Sequence, residues 1–232
     1  MIVAANFKTN KTRKEVEEYL KVLDVVNFDG VKVRVFPPCT ALTEKEYLGA
    51  QNAYPALKGA YTGEIGLEQL NEFGIDKILI GHSERRNILK ESQKFIAEKF
   101  EFYKKHNFEI TYCIGEPLEI RKKGIDEVVE YLKAQLVGID LDYERLIIAY
   151  EPVWAIGTGV SASGEEIQQT HKEIKKVVNK PLLYGGSVKP ENVKEILSIP
   201  NVDGVLVGSA SLDVGNFIKM IETAKELKKE KQ

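Results

Sequence analysis

Short apolar runs alternate with amphipathic stretches along most of the chain, and this alternation is the main structural signal. The apolar runs are rich in Val, Ile and Leu, which predicts strands over 2–7, 31–38, 47–53, 77–82, 109–116, 145–151, 181–187 and 204–210. The run at 47–53 is the weakest of them. Strands of this composition that are joined by helices predict a parallel sheet covered by helices.

The stretches between the runs carry apolar residues at helical spacing. Val16, Leu20 and Leu23 share one face of the first predicted helix. Thr12 and Glu15 form a capping-box pattern at its start. Ser163 and Glu166 form a second capping-box pattern. The other apolar stripes are formed by Ile125, Val129, Leu132 and Leu136; by Ile167, Ile174 and Val178, after the second capping box; and by Phe217, Ile221 and Ala224.

Successive strand–helix units favour a closed (β/α)8 barrel over an open doubly wound sheet. No linker rich in Pro, Gly or Ser divides the chain, so we predict a single (β/α)8 barrel domain over residues 1–232. Two places fit this prediction less well. Residues 39–46 are short for a full second helix, and Lys32 and Arg34 put charge in a strand that should be buried on both faces. A charged partner inside the barrel would account for Arg34.

Composition narrows the class of protein. The chain is 43% hydrophobic and 29% charged, which is typical of a soluble globular protein, and its formal net charge is -2. This charge gives no sign of binding to nucleic acid or to a membrane surface. Cys39 and Cys113 lie far apart, as expected of free thiols in a reducing compartment. No apolar run approaches the ~20 residues of a membrane span, so we expect a cytoplasmic protein.

Polar residues and glycines gather where the predicted strands end, which is where a (β/α)8 barrel carries its functional residues. These ends contain Asn6, Lys8, Gly81, His82, Ser83, Glu84, Glu151, Gly185, Gly186, Ser187, Gly208 and Ser209. Each has a plainer interpretation when it is taken alone. His82 could be a structural histidine, Glu84 part of a solvated helix face, and Glu151 a helix cap.

Other motifs point away from cofactor and metal chemistry. Residues 157–162 match the dinucleotide-binding pattern G-x-G-x-x-A. The pattern has to begin directly after a strand, and here five residues separate it from the strand end at Glu151, so we discount the match. The chain has no P-loop, no H-E-x-x-H and no C-x-x-C pattern. We therefore expect neither a metal nor a cofactor.

Taken together, the strand ends suggest one kind of reaction. The segments YGGS and VGSAS end consecutive strands, and backbone N–H groups at such glycine turns bind phosphate. Glu151 can serve as a base, His82 as a neutral hydrogen-bond donor and Lys8 as a fixed cation. A base, a donor and a cation without a nucleophile suggest proton abstraction next to a carbonyl.

Several segments resemble triosephosphate isomerases, in the order of that family: ANFK, GAYTGE, IGHSERR, CIGE, AYEPVWAIGTG, YGGSV and VDGVLVGSASL. They span the whole chain, and GHSERR and YEPVWAIGTG are highly specific. The resemblance implies a TIM barrel that interconverts dihydroxyacetone phosphate and D-glyceraldehyde 3-phosphate through an enediolate. It implies a place in glycolysis and gluconeogenesis, a phosphorylated triose as substrate, and no cofactor.

The resemblance also implies a role for each site residue. Glu151 would move the proton, and His82 would polarise the carbonyl while the helix that starts near Ser83 keeps it neutral. Lys8 would supply positive potential, and Glu84 would orient Lys8 or Ser83. The implied substrate-binding residues are Asn6, Lys8, Gly157, Ser187, Gly208 and Ser209.

The segment that follows Glu151 is implied to be a lid that closes over the substrate. The lid residues are Pro152, Val153, Trp154, Ala155, Ile156, Gly157, Thr158 and Gly159. Residues 52–66 resemble the loop by which one subunit of a homodimer plugs its partner, with Thr62 approaching the partner's Asn6 and Lys8. Ser209 stands where the family usually has glycine, which keeps a backbone N–H for phosphate but stiffens the loop.

Two alternatives stand beside this interpretation. Another phosphate-binding barrel, such as a sugar-phosphate isomerase of amino-acid biosynthesis, would share the glycine turns, but an apolar lid directly after the base argues against it. An inactive barrel kept as a binding or assembly module would be expected to lack Glu151, His82 or Lys8, and all three are present.

Overall fold

A parallel sheet lies at the centre of the protein. The computed structural model describes residues 1–156 and 161–230. The strands are β1 Ile2–Asn6, β2 Lys32–Phe36, β3 Lys77–Ile80, β4 Glu109–Ile114, β5 Leu146–Tyr150, β6 Leu182–Tyr184 and β7 Gly204–Val207. They pair in parallel in the order β2-β1-β7-β6-β5-β4-β3.

Residues 48–50 fill the gap between β2 and β3. Leu48 forms a parallel bridge with Val35, and Ala50 forms one with Ile78. The Leu79 N–H donates to the Ala50 carbonyl at 2.9 Å, so the hydrogen bonding continues from β2 to β3. The fold is therefore a nearly closed parallel barrel, as predicted, and the strand predicted at 47–53 is reduced to isolated bridges.

Gly49 accounts for the weakness of this strand. A Cβ on Gly49 would lie 2.5 Å from the ring of Phe36, which is buried in the barrel interior. The absence of a side chain at position 49 makes room for this ring, but a glycine within a strand also weakens it. The closing segment is therefore shorter than its neighbours.

Helices cover the outside of the barrel. They are α1 Arg13–Leu23, α2 Leu67–Glu72, α3 Ser83–Asn87, α4 Gln93–Lys105, α5 Leu118–Arg121, α6 Ile125–Ala134, α7 Gly164–Val177, α8 Val193–Ser198 and α9 Val214–Glu230. Both predicted capping boxes are formed, at Thr12 and at Ser163. In the doubtful stretch after β2, Cys39–Ala41 form a 3-10 turn. Within the described residues, every helix is too short or too polar to cross a membrane.

Both faces of the strands are buried, except at Lys32 and Arg34 of β2. The barrel interior contains a small apolar cluster of Ile2, Ala4, Phe36, Leu79, Cys113, Ile147, Ala149, Leu183 and Leu206. Alternate residues on the other face pack against the helices, among them Val3, Ala5, Ile78, Ile148 and Val205. Burial on both faces explains why the strands read as continuous apolar runs.

Arg34 and Glu109 form an ion pair inside the barrel. Arg34 Nε lies 2.6 Å from Glu109 Oε1, and Arg34 Nη2 lies 2.9 Å from Glu109 Oε2. Burial raises the pKa of the Glu109 carboxyl, but Arg34 outweighs this effect and the pKa is lowered overall. Glu109 is therefore the charged partner that was expected for Arg34 inside the barrel.

Replacing Glu109 by Gln should destabilise the protein by about 3 kcal/mol at pH 7, because the change deprives a largely buried arginine of its charged partner. The pKa of the Glu109 carboxyl is lower in the folded state than in the unfolded state. Its contribution to the free energy of unfolding is therefore fully present above the pKa of the unfolded state, and it is lost as the pH falls through the pKa of the folded state. The difference between parent and variant should therefore shrink below about pH 4. Urea unfolding at a series of pH values measures this difference.

Glu17→Gln is the matched control. Glu17 pairs with Arg13 at 2.9 Å, but both side chains are exposed. Loss of such a pair should change the free energy of unfolding by less than about 0.5 kcal/mol. Equal losses in the two variants would show that the Arg34–Glu109 pair contributes no more than a surface pair.

Candidate active site

A cavity of about 310 Å³ opens at the carboxyl ends of the strands. Its walls come from the ends of β1, β3, β5, β6 and β7. The residues that line it are Asn6, Lys8, Asn10, His82, Glu151, Ile156, Gly185, Gly186, Ser187, Val188, Lys189, Leu206, Gly208, Ser209 and Leu212. They include every described residue that was predicted to be catalytic or to bind substrate, except Glu84, which contacts Lys8 from an adjacent groove.

Glu151 and His82 face each other in this cavity, and both side chains are buried. His82 Nε2 lies 2.9 Å from Glu151 Oε1, and the Ser83 N–H donates to Glu151 Oε2 at 3.3 Å. The Glu151 N–H donates to the Ile114 carbonyl at 2.7 Å. The backbone of Glu151 is thus held by the neighbouring strand, and its carboxylate is held by the turn that carries His82.

Two glycines leave the space that Glu151 occupies. A Cβ on Gly185 would lie 2.9 Å from Glu151 Cγ, closer than real Cβ atoms approach. A Cβ on Gly115 would overlap the Glu151 carbonyl oxygen. Both glycines stand out in the sequence at strand ends, but only the folded chain shows that they accommodate the candidate base.

The two ring nitrogens of His82 have different partners. Nδ1 accepts the N–H of Glu84 at 3.2 Å, which requires an unprotonated nitrogen and hence a neutral ring in this arrangement. Burial lowers the pKa of His82, but the Glu151 carboxylate, with a smaller contribution from the Glu84 carboxylate, more than offsets this effect, so the pKa is raised. Burial raises the pKa of Glu151, and His82 reverses that shift in turn. The raised pKa of His82 therefore depends on its contact with Glu151.

Lys8 is held in an uncommon backbone conformation beside the cavity. Its φ is 52°, in the left-handed region that residues other than glycine rarely adopt. Its N–H donates to Asn6 Oδ1 at 2.9 Å, and its carbonyl accepts from Gln51 Nε2 at 2.8 Å. Its ammonium group lies 2.6 Å from Glu84 Oε1, one of the two contacts predicted for Glu84. Gln51 was not predicted, because it lies in the weakest strand-like run and belongs to no motif.

The two glycine turns form another part of the cavity wall. Gly185 follows β6 and Gly208 follows β7, while Ser209 opens a 3-10 turn. N–H groups at the start of a helical turn have no partner within it and can bind an anion. A Cβ on Gly208 would lie 3.9 Å from Lys8 Cε, so a cation is close by. Backbone donors and a cation in one place suit a phosphate group.

The segment after Glu151 packs against Glu116. Val153–Ala155 form a 3-10 turn, in which the Val153 N–H donates to the Glu116 carbonyl at 3.1 Å. Trp154 Nε1 donates to Glu116 Oε1 at 3.0 Å. Glu116 is fully buried and also lies 2.7 Å from Arg121. The sequence shows Glu116 at a strand end, in CIGE, but gives no sign that it anchors the predicted lid.

Comparison with known proteins identifies the family. A sequence profile of triosephosphate isomerase matches residues 1–224. The chain belongs to the triosephosphate isomerase family. The triosephosphate isomerase of a Nitratiruptor species is 56% identical over 232 residues, covering 98% of this chain and 100% of the relative. Those of Wolinella succinogenes and Helicobacter pylori (strain J99) are 55% and 51% identical over 230 residues each, covering 96% and 95% of this chain and 99% and 97% of the relatives.

Membership of the triosephosphate isomerase family decides between the functional alternatives. As a member, the chain is an aldose-ketose isomerase of glycolysis, as the resemblance implied. A sugar-phosphate isomerase of another pathway is therefore not supported. The barrel and the family that the sequence predicted are both confirmed.

The structure tests some of the remaining predictions and leaves others untested. Thr62 is exposed in the loop at 52–66, and its contact with a partner stays a prediction. Cys39 and Cys113 are free thiols, as predicted. Among residues 1–156 and 161–230, no group of three or more His, Cys, Asp or Glu side chains could hold a metal ion. The predicted lid and phosphate-binding residues that lie outside the described part of the chain are Gly157, Thr158 and Gly159.

Gly185→Ala should lower kcat by roughly tenfold, because the added methyl group displaces the Glu151 side chain and a shift of about 1 Å can cost a hundredfold. Substrate affinity should change less than turnover. A coupled assay with dihydroxyacetone phosphate measures both quantities.

Gly164→Ala is the control for this change. A Cβ on Gly164 would meet Glu195 Oε1 at 3.7 Å, an ordinary contact at the start of α7. This variant should keep the parental kcat. If the two alanine variants turned over substrate equally well, Gly185 would not be needed to accommodate Glu151.

Proposed function

We propose that Glu151, His82 and Lys8 carry out the interconversion of dihydroxyacetone phosphate and D-glyceraldehyde 3-phosphate. Glu151 removes a proton from the carbon next to the carbonyl and returns it to the neighbouring carbon. His82 donates a hydrogen bond from Nε2 to the carbonyl oxygen, and it passes the hydroxyl proton of the enediolate from one oxygen to the other, so that the carbonyl group moves to the neighbouring carbon. Lys8 stabilises the negative charge of the enediolate. The observation that carries this proposal is that a buried carboxylate, an imidazole and an ammonium group line one cavity.

Glu151 must exchange partners for this reaction. Its carboxylate occupies the Nε2 side of His82, where the substrate carbonyl has to bind. When Glu151 moves to the substrate carbon, the contact that raises the pKa of His82 is lost. Burial, the largest effect on this pKa, and the Glu84 N–H at Nδ1 then favour the neutral ring, against the smaller opposing effect of the Glu84 carboxylate. Substrate binding thereby makes His82 the neutral donor that the mechanism requires.

The substrate phosphate binds at the glycine turns. Backbone N–H groups of Ser187, Ser209 and Gly157 hold its oxygens, and Gly208 permits close approach. Asn6 helps to place the rest of the substrate. Ser187, Gly208 and Ser209 line the same cavity as Glu151, which supports this orientation. A cavity of about 310 Å³ is large enough for a three-carbon phosphate ester.

We further propose that the chain is a single barrel domain that works as a cytoplasmic homodimer. Ile88 and Leu89 are 71% and 59% exposed, and they line a groove of about 450 Å³ that borders the active site. The loop at 52–66 presents the exposed apolar side chains of Leu57 and Tyr61. Inserting this loop into the groove of a second copy would remove both apolar surfaces from water. Free thiols support a reducing compartment.

Glu151→Asp should lower kcat by on the order of a hundredfold with little change in KM, because the carboxylate retreats by about one methylene. Glu165→Asp shortens an exposed glutamate in the first turn of α7 and should leave both constants unchanged. The coupled isomerase assay compares the two variants. Unchanged turnover in Glu151→Asp would exclude Glu151 as the base.

Trp154 should report closure of the lid, because it is the chain's single Trp and its indole is bonded to Glu116. Titration with 2-phosphoglycolate, a non-reactive phosphate analogue, should shift its fluorescence with saturation as the segment moves.

Deleting Ile156 to Gly159 should leave the barrel folded, strongly reduce isomerisation and increase loss of phosphate from the enediolate. A folded deletion variant that isomerises normally and releases no extra phosphate would contradict the lid.

A further inference from the structure

A hydrogen-bond network lies behind His82 and Glu151, on the outer face of β4. Its centre is the Tyr112 hydroxyl, which accepts from Arg86 Nη2 at 3.0 Å and from Gln93 Nε2 at 3.1 Å. The same hydroxyl donates to the Gln135 carbonyl at 2.6 Å. A hydroxyl has one proton and two lone pairs, so these bonds use its full capacity. Tyr112 is fully buried, and none of these residues belongs to the cavity wall.

On one side, the network holds the backbone that carries His82. Arg86 Nε donates to the Gly81 carbonyl at 2.7 Å, and Arg86 Nη2 donates to the Cys113 carbonyl at 3.2 Å. Gly81 has a φ of 76°, and a Cβ there would lie 2.6 Å from Arg86 Nη2. The guanidinium group therefore packs directly against the turn that precedes His82 and ties this turn to β4.

On the other side, the network holds the backbone next to Glu151. The Gly115 N–H donates to Gln135 Oε1, and Gln135 Nε2 donates to the Gly115 carbonyl, both at 2.9 Å. The amide of Gln135 thus pairs with Gly115 as a neighbouring strand would, one residue beyond the end of β4. Gly115 is packed so closely against the Glu151 backbone that there is no room for a Cβ. Any shift of Gly115 would therefore move the backbone of Glu151.

We propose that Arg86, Tyr112 and Gln135 are positioning residues that set the separation between His82 and Glu151. They act through Gly81 and Gly115, the glycines that adjoin these two side chains. Base and hydrogen-bond donor must be held to within about 0.5 Å to act on the same substrate, and such precision requires a rigid supporting layer. The proposal rests on the roles proposed above for Glu151 and His82.

Tyr112→Phe tests this proposal, because it removes the central hydroxyl and keeps the ring. The turn before His82 and Gly115 should then loosen together, so kcat should fall by roughly tenfold while KM stays within about twofold. Tyr143→Phe is the matched control, since the Tyr143 hydroxyl donates to the Phe108 carbonyl at 2.7 Å, away from the cavity. Tyr112→Phe should lower the melting temperature more, because it removes three hydrogen bonds and not one. At a temperature where both variants are folded, only Tyr112→Phe should lower kcat.

Gln135→Met tests the same proposal at a second residue, so the test does not depend on whether Tyr112→Phe folds. It removes both bonds to Gly115 and should lower kcat with KM nearly unchanged. Combined with Tyr112→Phe it should cause little further loss, because both changes release the same glycine. Combined with Tyr143→Phe it should give the product of the two separate effects.

The outcomes separate this proposal from the proposed function. The parent protein and Glu151→Asp are assayed beside the new variants, so an error in the catalytic assignment appears in those two. Parental turnover in folded Tyr112→Phe or in folded Gln135→Met would overturn the positioning role. So would an equal loss of kcat in Tyr112→Phe and Tyr143→Phe, because it would trace the effect to stability alone.

Discussion

Parallel closure of the barrel is the constraint on which the site depends. Because all strands run in one direction, their carboxyl ends meet at one mouth, and residues far apart in the sequence become neighbours there. Asn6, His82 and Glu151 lie at the carboxyl ends of different strands and line one cavity for this reason. The closure is weakest at residues 48–50, where two bridges replace a full strand. The next residue, Gln51, holds the backbone of Lys8. The segment that closes the barrel therefore also helps to shape the site.

The sequence predicted much of this because its signals are local. Continuous apolar runs mark strands buried on both faces, and the capping boxes at Thr12 and Ser163 mark helix starts without any knowledge of tertiary contacts. The candidate residues His82 and Glu151 could be named because a strand end is a position in the sequence as well as in space. Two features differed from the prediction: the strand at 47–53 is reduced to two bridges, and other strands end earlier because several residues at their predicted ends leave the ladder to line the cavity.

The supporting residues could not be predicted in this way. Gln51 acts through a bond to a carbonyl at position 8, and Gln135 acts through a glycine on another element. A glutamine has no local pattern that distinguishes such a role from a solvated surface position. Gly185 shows a related difficulty, because a glycine appears in the sequence only as a flexible residue. What its missing side chain makes room for depends on the neighbour, here Glu151.

At position 8, the stability of the fold and the role proposed for Lys8 favour different residues. A left-handed conformation costs a residue with a Cβ on the order of 1 kcal/mol, whereas glycine adopts it freely. Asn6 and Gln51 hold the backbone in this shape, and the side chain of Lys8 then reaches the cavity. Improving the fold by relieving this strain with glycine would remove the ammonium group from the site. Stabilising substitutions should therefore be sought at other positions of the barrel, because at position 8 the less favourable residue is the one that we propose takes part in the reaction.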